Sequence, residues 1–153
     1  MEANTCFFIG HRDTPEQIMP RLTESVKRHI EKYGVTEFFV GQYGAFDRMA
    51  AHAVAIAKQQ YPQVRLIAVL PYFPRERADG LPELYDGNYY PPGMEAVPKP
   101  FAIVRANEHM IRSCGYLICY NMGYVGKTRD FFNMALRREK RGLLHVDNLA
   151  PEE

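Results

Sequence analysis

Three short stretches of this chain combine glycines with side chains able to hold an anion or move a proton. Gly10-His11-Arg12 places an imidazole and a guanidinium beside a glycine that lets another group approach the backbone closely. Arg12 can hold a phosphate or carboxylate through two parallel hydrogen bonds, or it can simply face solvent. His11 can reach a ligand or cap a neighbouring carbonyl. In Gly41-Gln42-Tyr43-Gly44-Ala45-Phe46-Asp47, Gly41 and Gly44 suit a tight turn and Asp47 suits a helix cap. The same carboxylate could instead take a ribose hydroxyl. The third stretch runs from Asn121 through Gly123 to Gly126-Lys127-Thr128. Its ending invites comparison with a phosphate loop, but that motif, Gly-x-x-x-x-Gly-Lys-Thr/Ser, needs a glycine where Asn121 stands. What remains is a glycine-bearing turn at a helix N-terminus, whose free N–H groups and dipole favour an anion. Lys127 or Arg129 could add charge there.

Each stretch follows an apolar run. Thr5-Cys6-Phe7-Phe8-Ile9 stops at Gly10, Glu37-Phe38-Phe39-Val40 stops at Gly41, and Tyr116-Leu117-Ile118-Cys119-Tyr120 stops at Asn121. Short apolar runs bounded by turn residues read as buried strands. Val64 to Leu70 is a further strand, and its near-continuous hydrophobicity fits burial on both faces of a parallel sheet. Leu143 to Val146 is a short last one. Helices are expected between them. The first is capped by Asp13 or Thr14, has Pro15 at its first position, and carries the stripe Ile18, Leu22, Val26 and Ile30 up to Gly34. The second begins near Asp47 with Ala50, Ala53, Val54 and Ala57 inward; others cover about 101–112 and from Thr128 to before Gly142. This β-α alternation predicts an α/β fold: a three-layer Rossmann-like sandwich on a mainly parallel sheet of five strands or slightly more. Right-handed crossovers then bring the loops after the strands to one edge, where ligands bind in such sheets.

The chain has 153 residues, 46% hydrophobic and 24% charged, which fits one ordinary globular domain over about 1–150 with a short tail at 151–153. A formal charge of +1 gives no global drive toward nucleic acid or membrane. No basic-then-apolar leader opens the chain, and no apolar run approaches the roughly 18 residues that span a bilayer. Cys6, Cys114 and Cys119 lack metal-ligand spacing and read as small apolar residues in a reduced, cytoplasmic setting. No metal site and no catalytic triad stand out. The exception to the regular alternation is 71–100, which holds seven of the eleven prolines together with Tyr72, Phe73, Tyr85, Tyr89 and Tyr90. An insert of that length usually has a role. It is expected to be a lid or dimer flap bringing Tyr85, Tyr89 or Tyr90 toward a ligand, or else a cover for the sheet edge. Arg137, Arg138, Lys140 and Arg141 complement the dipole at a helix end.

The order of these motifs resembles the SLOG superfamily, the Rossmann-like group named for the DNA-processing protein Smf/DprA and the LOG phosphoribohydrolases, and within it the YpsA-like branch. Phe8-Ile9-Gly10-His11-Arg12, Gly41-x-x-Gly44-Ala45-Phe46-Asp47, Arg105-x-Asn107 and the Gly123 to Thr128 turn carry the resemblance, over roughly 5–146. It implies a nucleotide or nucleotide-derived ligand held by Gly10, Arg12, Gly44, Asp47, Gly126 and Thr128, with Arg105 and Asn107 nearby, and a homodimer. No further cofactor is implied. Two departures matter. The phosphoribohydrolase branch ends its glycine-rich stretch in Gly-Thr-x-x-Glu, whose glutamate takes part in N-glycosidic cleavage; here Phe131 stands at that place. An acidic residue that commonly precedes the fourth strand in relatives is replaced by Ser113-Cys114-Gly115.

The resemblance therefore implies a module that binds and senses a nucleotide-like ligand. The alternative is a nucleoside 5′-monophosphate N-glycosidase using another carboxylate, from Asp47, Asp130 or Glu108. Single-stranded DNA binding through the basic run and exposed tyrosines is the weakest reading, because the net charge is near zero.

Overall fold

A computed structural model of the chain describes residues 4–73 and 83–151. The 74–82 part of the insert and residues 152–153 of the expected tail lie outside these. The elements in chain order are β1 (Thr5–Ile9), α1 (Met19–Tyr33), β2 (Glu37–Val40), α2 (Ala45–Gln60), β3 (Arg65–Val69), β4 (Gly87–Tyr89), α3 (Ala102–Ser113), β5 (Tyr116–Cys119), α4 (Lys127–Lys140) and β6 (His145–Asn148). All six strands are parallel, in the order β4-β3-β2-β1-β5-β6. The architecture is the α/β Rossmann-like sandwich expected, with one more strand than the five apolar segments predict.

The alternation of side chains along β1 divides the core. Cys6 and Phe8 point toward α1 and α2, where they join Leu22, Val26, Phe46 and Ala50. Phe7 and Ile9 point the other way and join Ala106, Met110, Leu117 and Phe131 beneath α3 and α4. Every residue of β1 is buried, as a central strand covered on both faces requires. The stripe read for α1 is correct: Ile18, Leu22, Val26 and Ile30 are all buried.

The start of α1 differs from the expected cap. Thr14 turns back on the β1–α1 loop, accepting from the His11 N–H (3.1 Å) and donating to the His11 carbonyl (2.7 Å). A 3-10 turn at Glu16–Ile18 intervenes before the helix proper, and neither Asp13 nor Thr14 caps it. The last strand begins two residues later than its apolar signal, because Leu143 is exposed and Leu144 packs below the sheet rather than in the ladder.

The insert supplies the extra strand. Asp86 receives the Leu66 N–H on its carboxylate (2.7 Å) and donates its own N–H to the Leu66 carbonyl (2.8 Å), which docks β4 against β3. Tyr89 then packs edge-on to Phe39 and meets His109 Nε2 with its hydroxyl at 2.9 Å. Tyr90 packs on Phe73, and Tyr85 is half-buried against the α1–α2 side of the core.

Candidate functional site

The topology creates a crevice at the carboxyl ends of the strands. β1 connects through α1 to β2 on one side, whereas its other neighbour, β5, is reached only after α3. Ligands in doubly wound sheets bind where the order reverses in this way. A cavity of about 340 Å³ opens there. Its floor is Phe8, Ile9 and Val69, and its apolar wall includes Pro71, Pro100, Ile103 and Val104. Its polar groups come from four separate loops and helices.

Among the residues singled out by sequence, Gly10 and Arg12 reach the cavity from the β1 loop, and Gly41 and Asp47 from the β2 loop and α2. Asn107 of α3 and Lys127 and Thr128 of α4 also line it. Gly10 is glycine because a Cβ there would lie 2.2 Å from Cγ of Phe46. The β1 backbone thus runs directly against the Phe46 ring at the start of α2. Gly44 does not line the cavity. It is the N-cap of α2, with φ at 120°, and an added Cβ would sit 2.8 Å from Cα of Arg12. Together with the Ala45 N–H, which donates to the Arg12 carbonyl at 2.8 Å, it seats the Arg12 loop on α2.

Asp47 is not the helix cap. It occupies the third helical position and reaches back, accepting the Tyr43 N–H on Oδ2 at 3.0 Å. Burial pushes its carboxyl up to about 6, against the pull of the Tyr43 N–H and the nearby Arg48. Among the described residues it is the only carboxylate that lines the cavity; Asp130 and Glu108 do not line it. Glu108 instead lies 3.9 Å from Arg105, which is exposed and likewise outside the cavity lining. Asn107 lines the cavity, and its carboxamide has no hydrogen-bond partner among the described residues.

Gly126 is the N-cap of α4, with φ at 105°, and no side chain caps the helix. The Asp130 N–H closes on the Gly126 carbonyl at 3.0 Å, so the amides of Lys127, Thr128 and Arg129 have no acceptor inside the helix. Thr128 donates its hydroxyl to the Gly10 carbonyl at 3.4 Å, joining α4 to the end of β1. Lys127 lies at the cavity with no ion-pair partner among the described residues, and the same holds for the Arg12 guanidinium. Arg129 is committed elsewhere, stacked on the Tyr124 and Phe132 rings at 5.6 and 5.5 Å. Gly123, with φ at 100°, shapes the turn outside the cavity. His11 also stands outside, with Nε2 accepting the Met122 N–H at 2.8 Å.

Sequence reasoning missed several contributors to the lining. Phe131, noted only as replacing a glutamate, is buried and forms part of the cavity wall. Tyr43 lines the mouth, and burial together with the neighbouring Tyr72 and Asp47 raises its hydroxyl above the ordinary value. Of the insert, Pro71 and Pro100 line the cavity, whereas Tyr85, Tyr89 and Tyr90 do not. An aromatic directly inside Gly41-x-x-Gly44 was the available signal for Tyr43. Nothing in the run of residues pointed to Phe131.

Chemically, the lining combines apolar side chains with hydrogen-bond donors, two cationic side chains and the carboxyl of Asp47. Among the described residues, no cluster of three or more His, Cys, Asp or Glu could hold a metal ion, and no helix is long and apolar enough to cross a membrane. No protein-family model matches the chain, and no curated protein matches it significantly.

Proposed function

We propose that the chain binds a nucleotide or nucleotide-derived ligand at this cavity, as a cytoplasmic sensing module of SLOG type, close to the YpsA-like branch. The observation that carries the reading is the mixed lining of one cavity. Arg12, Lys127 and the uncapped α4 N-terminus suit a phosphate, while Val69, Pro71, Pro100, Ile103 and Val104 suit a planar apolar ring. Asp47, which lines the same cavity, suits a ribose hydroxyl as donor. Self-association as a homodimer belongs to the same reading, and sedimentation of the purified protein checks it.

A thermal-shift panel of nucleoside mono- and diphosphates, NAD, ADP-ribose and cyclic nucleotides tests binding. A ligand at about 100 times its Kd stabilises the fold by about 2.7 kcal/mol, a shift of a few degrees. Arg12→Ala should keep the wild-type Tm and lose about 10- to 100-fold in affinity for the best phosphate ligand, the worth of charge-assisted hydrogen bonds. A folded Arg12→Ala protein with wild-type affinity removes Arg12 from the site, and a panel with no hit removes the reading.

One observation favours a second reading, hydrolysis of a nucleoside 5′-monophosphate at its N-glycosidic bond. Of the three carboxylates considered from sequence, Asp47 alone lines the cavity, and its raised proton affinity suits acid–base work near neutral pH. Free base released from AMP by wild type and abolished in Asp47→Asn would support turnover. Equal release by both proteins, or none from either, leaves binding as the function.

A further inference from the structure

His11 was a candidate ligand residue, but its ring is already engaged. Nε2 accepts the Met122 N–H at 2.8 Å, so the neutral ring carries its proton on Nδ1. Tyr120 meets the imidazole edge-on, with centroids 5.8 Å apart and planes at 90°. Three hydrogen bonds between His11 and Thr14, two through the Thr14 hydroxyl and one from the Thr14 N–H to the His11 carbonyl, pin its backbone. The ring is thus held on its own loop and reaches across the switch point to the loop that leaves β5.

The first amide of that loop, of Tyr120, donates to the Ile9 carbonyl at 2.9 Å, that of Asn121 to Oδ1 of Asn148 at 3.1 Å and that of Met122 to His11, while the Tyr124 ring packs on Arg129 of α4. Residues 122–127 are exposed, and Gly123 and Gly126 both take left-handed φ values. Such a turn has little intrinsic reason to keep one shape. It nevertheless delivers Lys127 and the open α4 N-terminus to the cavity, while Arg12 arrives from the residue after His11.

We propose that His11 is a positioning residue which locks the 121–126 turn onto the Arg12 loop, so that the two halves of the anion cradle are set before ligand arrives. The inference rests on the phosphate-binding reading above and assigns the phosphate group, not the ring of the ligand, as the part that feels His11. Preorganising donors in this way raises affinity by removing an ordering cost from the binding step.

Two variants and three probes test it. His11→Leu removes the acceptor, and His11→Gln places a carbonyl oxygen near the position of Nε2. By NMR hydrogen exchange without ligand, the Met122 amide should be protected in wild type and His11→Gln and should exchange much faster in His11→Leu. Affinity for 5′-AMP and inorganic phosphate should fall roughly tenfold in His11→Leu, the upper end of one hydrogen bond's worth. It should recover in His11→Gln, and affinity for adenosine should be the same in all three proteins. Equal Met122 exchange in wild type and His11→Leu overturns the lock, whether or not any nucleotide binds. Equal losses for adenosine and AMP, or no rescue by His11→Gln, overturn the positioning role. If none of the probes binds wild type while Met122 exchange follows the variants as expected, the phosphate reading fails, and the assignment of His11 to a phosphate cradle falls with it.

Discussion

At Asp47, burial and one backbone donor compete over a single proton. Burial wins, and the carboxyl rises from 3.8 to about 6 despite the Tyr43 N–H and Arg48. Folding therefore takes up a proton between those values, so the native state binds more protons than the unfolded chain. Stability is then fully present below 3.8 and is lost as the pH rises through about 6. Asp47→Asn has no such proton to hold. Relative to wild type it should gain on the order of 2 kcal/mol between about pH 4 and about pH 7, read from urea unfolding. His29 works in the opposite sense. Burial lowers it below 6.5, so both proteins lose stability as the pH falls below that value, and this common slope cancels in the difference. Parallel pH curves for the two proteins would show that Asp47 titrates like a surface carboxylate. That Arg12, Asp47 and Lys127 come to one cavity was legible in sequence because each follows a strand end and is set off by glycine. The link from His11 to Met122 was not, since it joins residues 111 positions apart.

Among the elements, β4 shows where apolar runs stop being informative. Gly87-Asn88-Tyr89 has no hydrophobic run and lies in a proline-rich stretch, so nothing local marks it as a strand. Its pairing depends on Asp86, which engages both peptide groups of Leu66 and forms an ion pair with Lys58 of α2. Asp86→Ala leaves the Leu66 N–H without its carboxylate and should cost about 1–3 kcal/mol. Amide exchange should accelerate at Asn88, Tyr89 and Leu70, whose N–H donates to Tyr89, and stay unchanged in β1. Uniform acceleration across the sheet would mean that Asp86 supports global stability rather than the edge. β1, β2, β3 and β5 were legible because burial on both faces demands nearly unbroken apolar residues, whereas the edge strand β6, His145-Val146-Asp147-Asn148, is only partly buried and was read from the apolar pair before it. Helix starts were less legible. The cap read for Asp47 fails by one turn, because Gly44 can take a φ of 120° that lets the helix begin earlier, against Arg12.

Across the whole molecule, the fold followed from counting alternating segments, whereas the cavity depended on distances that alternation leaves unspecified. Ile103 and Val104 read as part of an ordinary helix, yet in the first turn of α3 they line the cavity together with Pro100 just before it. The order of the sheet has one more consequence, in the timing of synthesis. β1 pairs with β2 early, Thr5 with Glu37, but its other edge waits for β5, where Cys6 meets Tyr116. At ribosomal speeds that interval is roughly 4–16 seconds. Throughout it, β1, which carries the buried Phe7 and Phe8, has one side without a partner strand, an edge of the kind that invites pairing with other chains. In a nascent chain, the future centre of the sheet is a border first.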